Sequence, residues 1–215
     1  MTLTTPTTRR DLFGGAIKAF VPTSFVDIRQ RPPWQLRLYS SILTYFCSTI
    51  REVPDHQEVL VDQSTDQSLI VEILELADCP AEEAASFHFW QLADDNDAKD
   101  ASRIISVEHL PCPSWPNTTT FSVLFGEQQV TKFNEAGPGA HNLVQVYLAV
   151  FRIPLVATDI VITWNHPVAL GSQSSSAQAL SEANATIGAP QLAKQNFLQL
   201  LDTFEIHDWT LFGTS

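Results

Sequence analysis

Basic side chains are scarce in this chain. It has 12 Lys and Arg residues against 24 Asp and Glu residues, which gives a formal net charge of −12 at pH 7. A surface this acidic is repelled by phosphate backbones and by anionic lipids, which argues against nucleic acid and against membranes as partners. Many of the basic residues fall within residues 1–51, so the remainder of the chain is more acidic still. We therefore expect a protein partner with a basic surface.

Cysteine is also rare, and the common catalytic motifs are missing. The spacings of Cys47, Cys79 and Cys112 fit neither a disulfide framework nor a zinc site. The phosphate-binding loop GxxxxGK followed by Ser or Thr is absent from the sequence, as are HExxH, CxxC and GxSxG, so the chain is not itself a P-loop GTPase. His109 and Cys112 could pair as metal ligands, but no further ligands lie nearby in the sequence. We expect no cofactor, no metal and no catalytic chemistry.

Signals for a membrane span or for export are interrupted. The uncharged run between Arg37 and Arg51 is shorter than the roughly 20 residues that a spanning helix needs. Arg9-Arg10 precedes an apolar stretch, as in a twin-arginine export signal, but Gly14-Gly15 breaks that stretch. A length of 215 residues with 44% hydrophobic content instead suits a single globular domain.

Two apolar runs between Arg51 and Glu75 form the most informative stretch. Val59–Val61 and Leu69–Leu74 are separated by a spacer rich in turn-forming residues, which predicts two strands joined by a tight connection. A carboxylate inside the second run, Glu72, is costly to bury without a partner. Glu72 is therefore either at an exposed strand position, where its charge discourages aggregation, or in functional use. The acids in and around the two runs are Glu52, Asp55, Glu58, Asp62, Asp66, Glu72 and Glu75.

The remaining pattern predicts an α+β fold, with a single antiparallel sheet covered by helices. Proline and acids at 80–83 followed by apolar residues predict a helix to about Leu92, and apolar spacing predicts a second helix over Gln191–Phe204. Strands and hairpins outnumber these helices. They are the strand Arg103–Leu110, a hairpin of Thr119–Phe125 and Gln128–Phe133 around Gly126-Glu127, and a hairpin of Asn142–Ile153 and Thr158–Asn165.

Two segments have the composition of disordered or mobile chain. Residues 1–8 form a Thr- and Pro-rich leader that we expect to be disordered. Residues 171–189 are rich in Ser and Ala and predict a mobile loop. The tail from Ile206 to Phe212 is expected to pack back on the body of the protein through its apolar residues.

Several short motifs, separated along the sequence, resemble those of one known family. Four motifs closely resemble the Ran guanine nucleotide release factors. They are Leu12–Ile17 (LFGGAI), VPDHQEV, TDQSLIVEILE and Leu211–Gly213 (LFG). These release factors are Mog-type proteins that bind the nuclear-transport GTPase Ran. The resemblance covers most of the chain. It implies a sheet of about six strands with helices on both faces, the arrangement shared with PsbP-type photosystem proteins.

The same resemblance implies a function and a set of site residues. The expected function is to bind Ran and promote release of its bound guanine nucleotide in support of nuclear protein import, in the nucleus and the cytoplasm and as a monomer. Glu72 and Glu75 of VEILE are the residues expected to matter most for Ran binding. Asp55, Gln57 and Glu58 of VPDHQEV are supporting candidates through their match to the motif.

Two other functions remain open on the sequence alone. One is an acidic binding adaptor or trafficking escort that holds Ran or a membrane protein without exchange activity. The other is a small hydrolase with Glu72 and Glu75 as its paired carboxylates. The hydrolase is disfavoured because both acids lie in one segment, whereas glycosidase-type acids flank a substrate cleft.

The segment Gln30–Ile50 does not match its surroundings. It contains no acidic residue and is dense in aromatic residues. It also separates two motifs, VDIR and REVPDHQEV, that are nearly adjacent in the family. It could be a retained intron translated in frame, or a lineage-specific loop or surface helix. A long loop at a surface connection costs only a slowly growing closure entropy, so deletion of this segment is expected to leave a folded protein that still binds Ran.

Overall fold

An antiparallel sheet of seven strands forms the central layer of the protein, and a smaller sheet of three strands packs against it. The computed structural model describes residues 5–30, 53–62, 64–131, 139–182 and 186–213. The strands in this part of the chain are β1 Thr7–Leu12, β2 Ile17–Pro22, β3 Val26–Asp27, β4 Gln57–Asp62, β5 Gln67–Glu75, β6 Ser102–Leu110, β7 Thr120–Val130, β8 Asn142–Ile153, β9 Thr158–Ala169 and β10 Glu205–Ile206. The central sheet has the order β3-β4-β5-β9-β8-β7-β6, and the small sheet has the order β1-β2-β10.

Three α-helices accompany the sheets within the described ranges: α1 Ala84–Asp95, α2 Ser175–Glu182 and α3 Pro190–Asp202. A single 3-10 turn, Ala81–Glu83, leads into α1 and carries two acids where the positive end of the helix dipole favours them. Pro190 is the first residue of α3, a position where its missing N–H costs nothing. Both predicted helices are therefore confirmed, with small shifts at their ends.

The core lies on both faces of the central sheet. Along β8, Val146, Leu148 and Val150 pack with α1, while Tyr147 and Phe151 pack with α3 and the small sheet. Alternate side chains of one strand point to opposite faces, so a strand that is apolar at every position is buried on both. We call these faces the α1 face and the α3 face.

The strand count differs from the expected single sheet of about six strands. The antiparallel α+β arrangement is confirmed, but the central sheet has seven strands and β1, β2 and β10 form a second sheet. The hairpin predicted around Gly126-Glu127 is wrong, because both residues lie inside the unbroken strand β7. Gly126 serves close packing instead of a turn: a Cβ at this position would come within 2.5 Å of the Phe89 ring on α1.

Predictions for the less regular segments have mixed outcomes. The β4–β5 and β8–β9 hairpins are confirmed by continuous antiparallel pairing. Thr7 and Thr8, placed in the leader by composition, belong to β1, which pairs with β2 over six residue pairs. The loop predicted at residues 171–189 contains α2. Apart from Gln30, the segment Gln30–Ile50 lies outside the described residues.

Candidate protein-interaction site

Glu72 and Gln57 lie side by side on the α1 face of the central sheet. They are directly opposite each other across β4 and β5, and Gln57 Nε2 donates a 2.5 Å hydrogen bond to Glu72 Oε1. Both residues are half-buried. Of the two interpretations of Glu72, a freely solvated strand position is therefore disfavoured. Its carboxylate is half-buried and has a hydrogen-bond partner.

The surroundings of Glu72 disfavour its ionised form. Burial raises the pKa of the Glu72 carboxyl above its ordinary value, and the nearby charge of Asp95 acts in the same direction. The hydrogen bond from Gln57 and the charges of His56 and His88 act against this rise. An ionised carboxylate that has lost part of its hydration gains more from a cation brought by a partner than a freely hydrated one does. This makes Glu72 suited to contact a basic surface.

Glu75 and Asp55 are exposed at the margins of this site. Glu75 is the last residue of β5, and Asp55 lies in the turn before β4. Because β5 pairs with β9 without a break from Ser68 to Glu75, the side chains of Glu72 and Glu75 leave the strand on opposite faces. The structure therefore brings Glu72 and Gln57 into contact, while Glu75 and Asp55 extend the acidic surface at the strand ends.

Glu58 has a different environment from the other four candidates. Its side chain lies on the α3 face and is only 7% exposed. Its Oε1 accepts a 2.7 Å hydrogen bond from the backbone N–H of Phe13, and its Oε2 forms an ion pair with Arg29. Both carboxylate oxygens are thus engaged within the protein. We expect Glu58 to hold the turn Phe13–Gly15 against β4.

A buried polar network holds the segment that follows Glu75. Asp159 Oδ2 accepts a hydrogen bond of 3.0 Å from the backbone N–H of Ala77 and lies 3.0 Å from His88 Nε2. Arg152 Nη1 is 3.4 Å from the same oxygen, and Arg152 Nη2 donates to the carbonyl oxygen of Ala77 at 2.6 Å. Since these contacts join α1, β8 and β9 to Ala77, they fix the end of β5 and with it the position of Glu75.

The sequence carries a signal for most of this network. Arg152 and Asp159 stand in the two apolar strands of a hairpin that was correctly predicted, and they face each other across it. Opposite charges at facing positions of a buried hairpin indicate an ion pair, because a lone charge there would be too costly. His88 has no comparable signal, since its role depends on which side of α1 faces the sheet.

Other classes of site find no support in the described part of the chain. Among the residues that the structure describes, no three His, Cys, Asp or Glu side chains are grouped in a way that could hold a metal ion. Over the same ranges, no helix is both long enough and apolar enough to cross a membrane.

Known proteins resemble this chain along nearly its whole length. Residues 44–167 match the family model described as Ran-interacting Mog1 protein. The zebrafish (Danio rerio) Ran guanine nucleotide release factor is 34% identical over 209 residues, which cover 95% of this chain and 99% of the relative. A probable ran guanine nucleotide release factor from Dictyostelium discoideum is 32% identical over 212 residues, 95% of each chain. The crystal structure of the Saccharomyces cerevisiae Ran-binding protein Mog1p shares the fold, with a TM-score of 0.61, 23% identity, and coverage of 98% of this chain and 100% of that one.

Proposed function

The chain belongs to the Ran-interacting Mog1 protein family, and from this premise we propose that it binds the small GTPase Ran and promotes release of its bound guanine nucleotide. In this role it supports nuclear protein import, and it acts in the nucleus and the cytoplasm. The observation that carries the proposal is the similarity along 95% of the chain to proteins named as Ran guanine nucleotide release factors. The strongly acidic composition agrees with a basic protein surface as partner.

Glu72 is the centre of the proposed Ran-binding surface. Its carboxylate is partly desolvated, which raises its pKa, and it is held in one orientation by Gln57. A Lys or Arg side chain of the partner would restore the lost solvation of the ionised form. Because Gln57 already fixes the carboxylate, little side-chain freedom remains to be lost when the complex forms.

Glu75 and Asp55 are exposed at the strand ends beside Glu72 and add negative charge at the edge of the sheet. Exposed acids of this kind guide a basic partner to the site and contribute less to the affinity of the final complex. Glu58 is left out of the contact surface in this proposal, because its carboxylate is buried and paired with Arg29.

Release of the nucleotide follows from binding, without catalytic chemistry on this chain. A release factor must bind the nucleotide-poor or opened GTPase more tightly than the loaded one. Carboxylates favour that state when they compete for the basic side chains that hold the nucleotide phosphates, or when they draw away the magnesium ion that neutralises them. Glu72 and Glu75 are the carboxylates to which we assign this role.

Charge reversal tests the site. Glu72→Lys should weaken Ran binding by about 30-fold or more, because loss of a close interfacial ion pair costs roughly 2–5 kcal/mol. Glu75→Lys should also weaken binding, by a smaller factor because this residue is more exposed. The affinities of purified Ran for each variant and for the unchanged chain can be compared by titration calorimetry.

Glu108→Lys is the matched control. Like Glu75, Glu108 is an exposed glutamate of a strand, but it lies on β6 at the far edge of the central sheet. Asp95 is unsuitable as a control because its charge influences Glu72. Equal losses of affinity at Glu72 and Glu108 would show that the attraction is diffuse, and the assignment of the site would be wrong.

A further inference from the structure

An open groove lies at the end of the central sheet, on the α3 face and away from Glu72. It has a volume of about 350 Å³ and runs between the loop Pro111–Trp115 on one side and the chain from Leu201 to Trp209 on the other. Phe121 of β7 and Phe151 of β8 form its floor. The groove is large enough to accept a long side chain of a second molecule.

Aromatic rings build the walls of this groove. Trp115 lies flat on Phe151, with ring centroids 4.3 Å apart and an angle of 6° between the planes. Phe151 in turn stacks on Phe121 at 4.2 Å. Trp209 stands at 78° to Trp115, with 6.3 Å between centroids, so the two indoles form a corner. The stacked rings hold Trp115 in place, whereas Trp209 keeps 38% of its surface exposed.

The described residues that line the groove carry only negative charge. They include two carboxylates, Asp202 and Glu205, and no Lys or Arg side chain. Glu205 already pairs with Arg9 at 3.1 Å and with His207 at 3.0 Å. Asp202 is exposed at the end of α3 and makes no hydrogen bond or ion pair with any residue that the structure describes. An exposed carboxylate thus lines the same groove as the aromatic corner.

We propose that this groove binds an arginine side chain from a segment of a partner protein. A guanidinium ion stacks on the faces of Trp rings, where the π electrons attract it, and it can also donate paired hydrogen bonds to a carboxylate. The corner of Trp115 and Trp209 supplies the first contact and Asp202 supplies the second. A lysine would gain less, because its compact ammonium group cannot stack as a plane. The groove is separate from Glu72, the centre of the Ran surface proposed above, because the two lie on opposite faces of the sheet.

A matched pair of peptides tests the proposal on the full-length chain. The probes are acetyl-Gly-Arg-Gly-amide and acetyl-Gly-citrulline-Gly-amide, which have nearly the same shape and differ in charge. The indole N–H signals of the ¹⁵N-labelled protein are followed by NMR during titration at low salt. The arginine peptide should shift the signals of Trp115 and Trp209 and leave that of Trp164 unchanged, since Trp164 is fully buried in the core. The citrulline peptide should produce much smaller shifts.

Two variants and one control locate the contact. Asp202→Asn should weaken arginine-peptide binding about two- to fivefold, the range expected for losing one exposed ion pair. Trp209→Ala should abolish the response of the Trp115 signal, while an unchanged Trp164 signal confirms that the variant is folded. Asp100→Asn removes an equally exposed acid outside the groove and should have no effect. Absence of any indole shift, or equal shifts with both peptides, would overturn the proposal and leave the aromatic cluster with a packing role only.

Discussion

Acidification should destabilise the folded protein through His166. This residue lies in β9 with its side chain fully buried, and Gly188 packs against its ring. Burial lowers the pKa of His166 from 6.5 to about 4, and the nearby backbone of Gly188 only partly opposes this effect. The folded protein therefore keeps the ring neutral at pH values where the unfolded chain would already be protonated.

The sign and size of the effect follow from these two values. A histidine with a depressed folded pKa contributes its full stability above the unfolded pKa of 6.5, and this stability is lost as the pH falls toward 4. Between about pH 7 and about pH 5 the free energy of unfolding should fall by about 2 kcal/mol from this residue alone. Protonation of Glu72, whose pKa is raised, acts in the opposite direction, so the contribution of His166 must be isolated by substitution.

His166→Gln supplies that comparison, because the glutamine side chain has a similar reach and does not titrate. Urea unfolding of both chains, followed by tryptophan fluorescence, gives the free energy of unfolding at each pH. The decrease between about pH 7 and about pH 5 should be smaller in the variant by about 2 kcal/mol. Its absolute stability can differ at both pH values without affecting this comparison. Parallel pH profiles for the two chains would refute the argument.

Three further predictions follow from charges and packing. Asp159→Asn should lower the free energy of unfolding by about 3 kcal/mol or more, because it leaves Arg152 buried without its counterion. A loss below about 1 kcal/mol in urea unfolding would contradict this prediction. Gly126→Ala should cost about 1–3 kcal/mol in the same assay, since the added methyl group would overlap the Phe89 ring, and a neutral effect would show that α1 can move away. Association with Ran, measured by stopped-flow mixing, should slow steeply as salt is added, because a chain of net charge −12 is steered toward a basic surface. Rates that do not change with salt would show that the net charge is incidental.

Elements with a strong hydrophobic period could be predicted from the sequence. The hairpin of β8 and β9 is mostly apolar and is buried along most of its length, and the helix α3 has its apolar residues on one side. In contrast, β1 has the sequence TTRRDL, which has no strand pattern of its own. It becomes a strand by pairing with β2, whose apolar side chains enter the core. Tertiary contacts of this kind leave no local signal.

Part of the candidate site could also be predicted from the sequence, and part of it depends on tertiary contacts. The pairing of the two apolar runs on either side of Asp62 places Gln57 opposite Glu72, and this follows from the register of a simple hairpin. The burial of Glu58 could not be predicted, because it depends on Arg29 and on the turn at Phe13, both distant in sequence. A motif match assigns the same role to neighbouring residues, whereas the side chains of neighbouring residues in a strand point to opposite faces of the sheet.

Release of guanine nucleotide from Ran tests the central claim most directly. Purified Ran is loaded with a fluorescent guanine nucleotide, and the rate of its release into excess unlabelled nucleotide is measured with and without the full-length chain. The account predicts that the chain accelerates release in proportion to its concentration until Ran is saturated, and that Glu72→Lys removes most of this acceleration while Glu108→Lys does not. Binding to Ran without any acceleration of release would contradict the account, and would identify the protein as an adaptor.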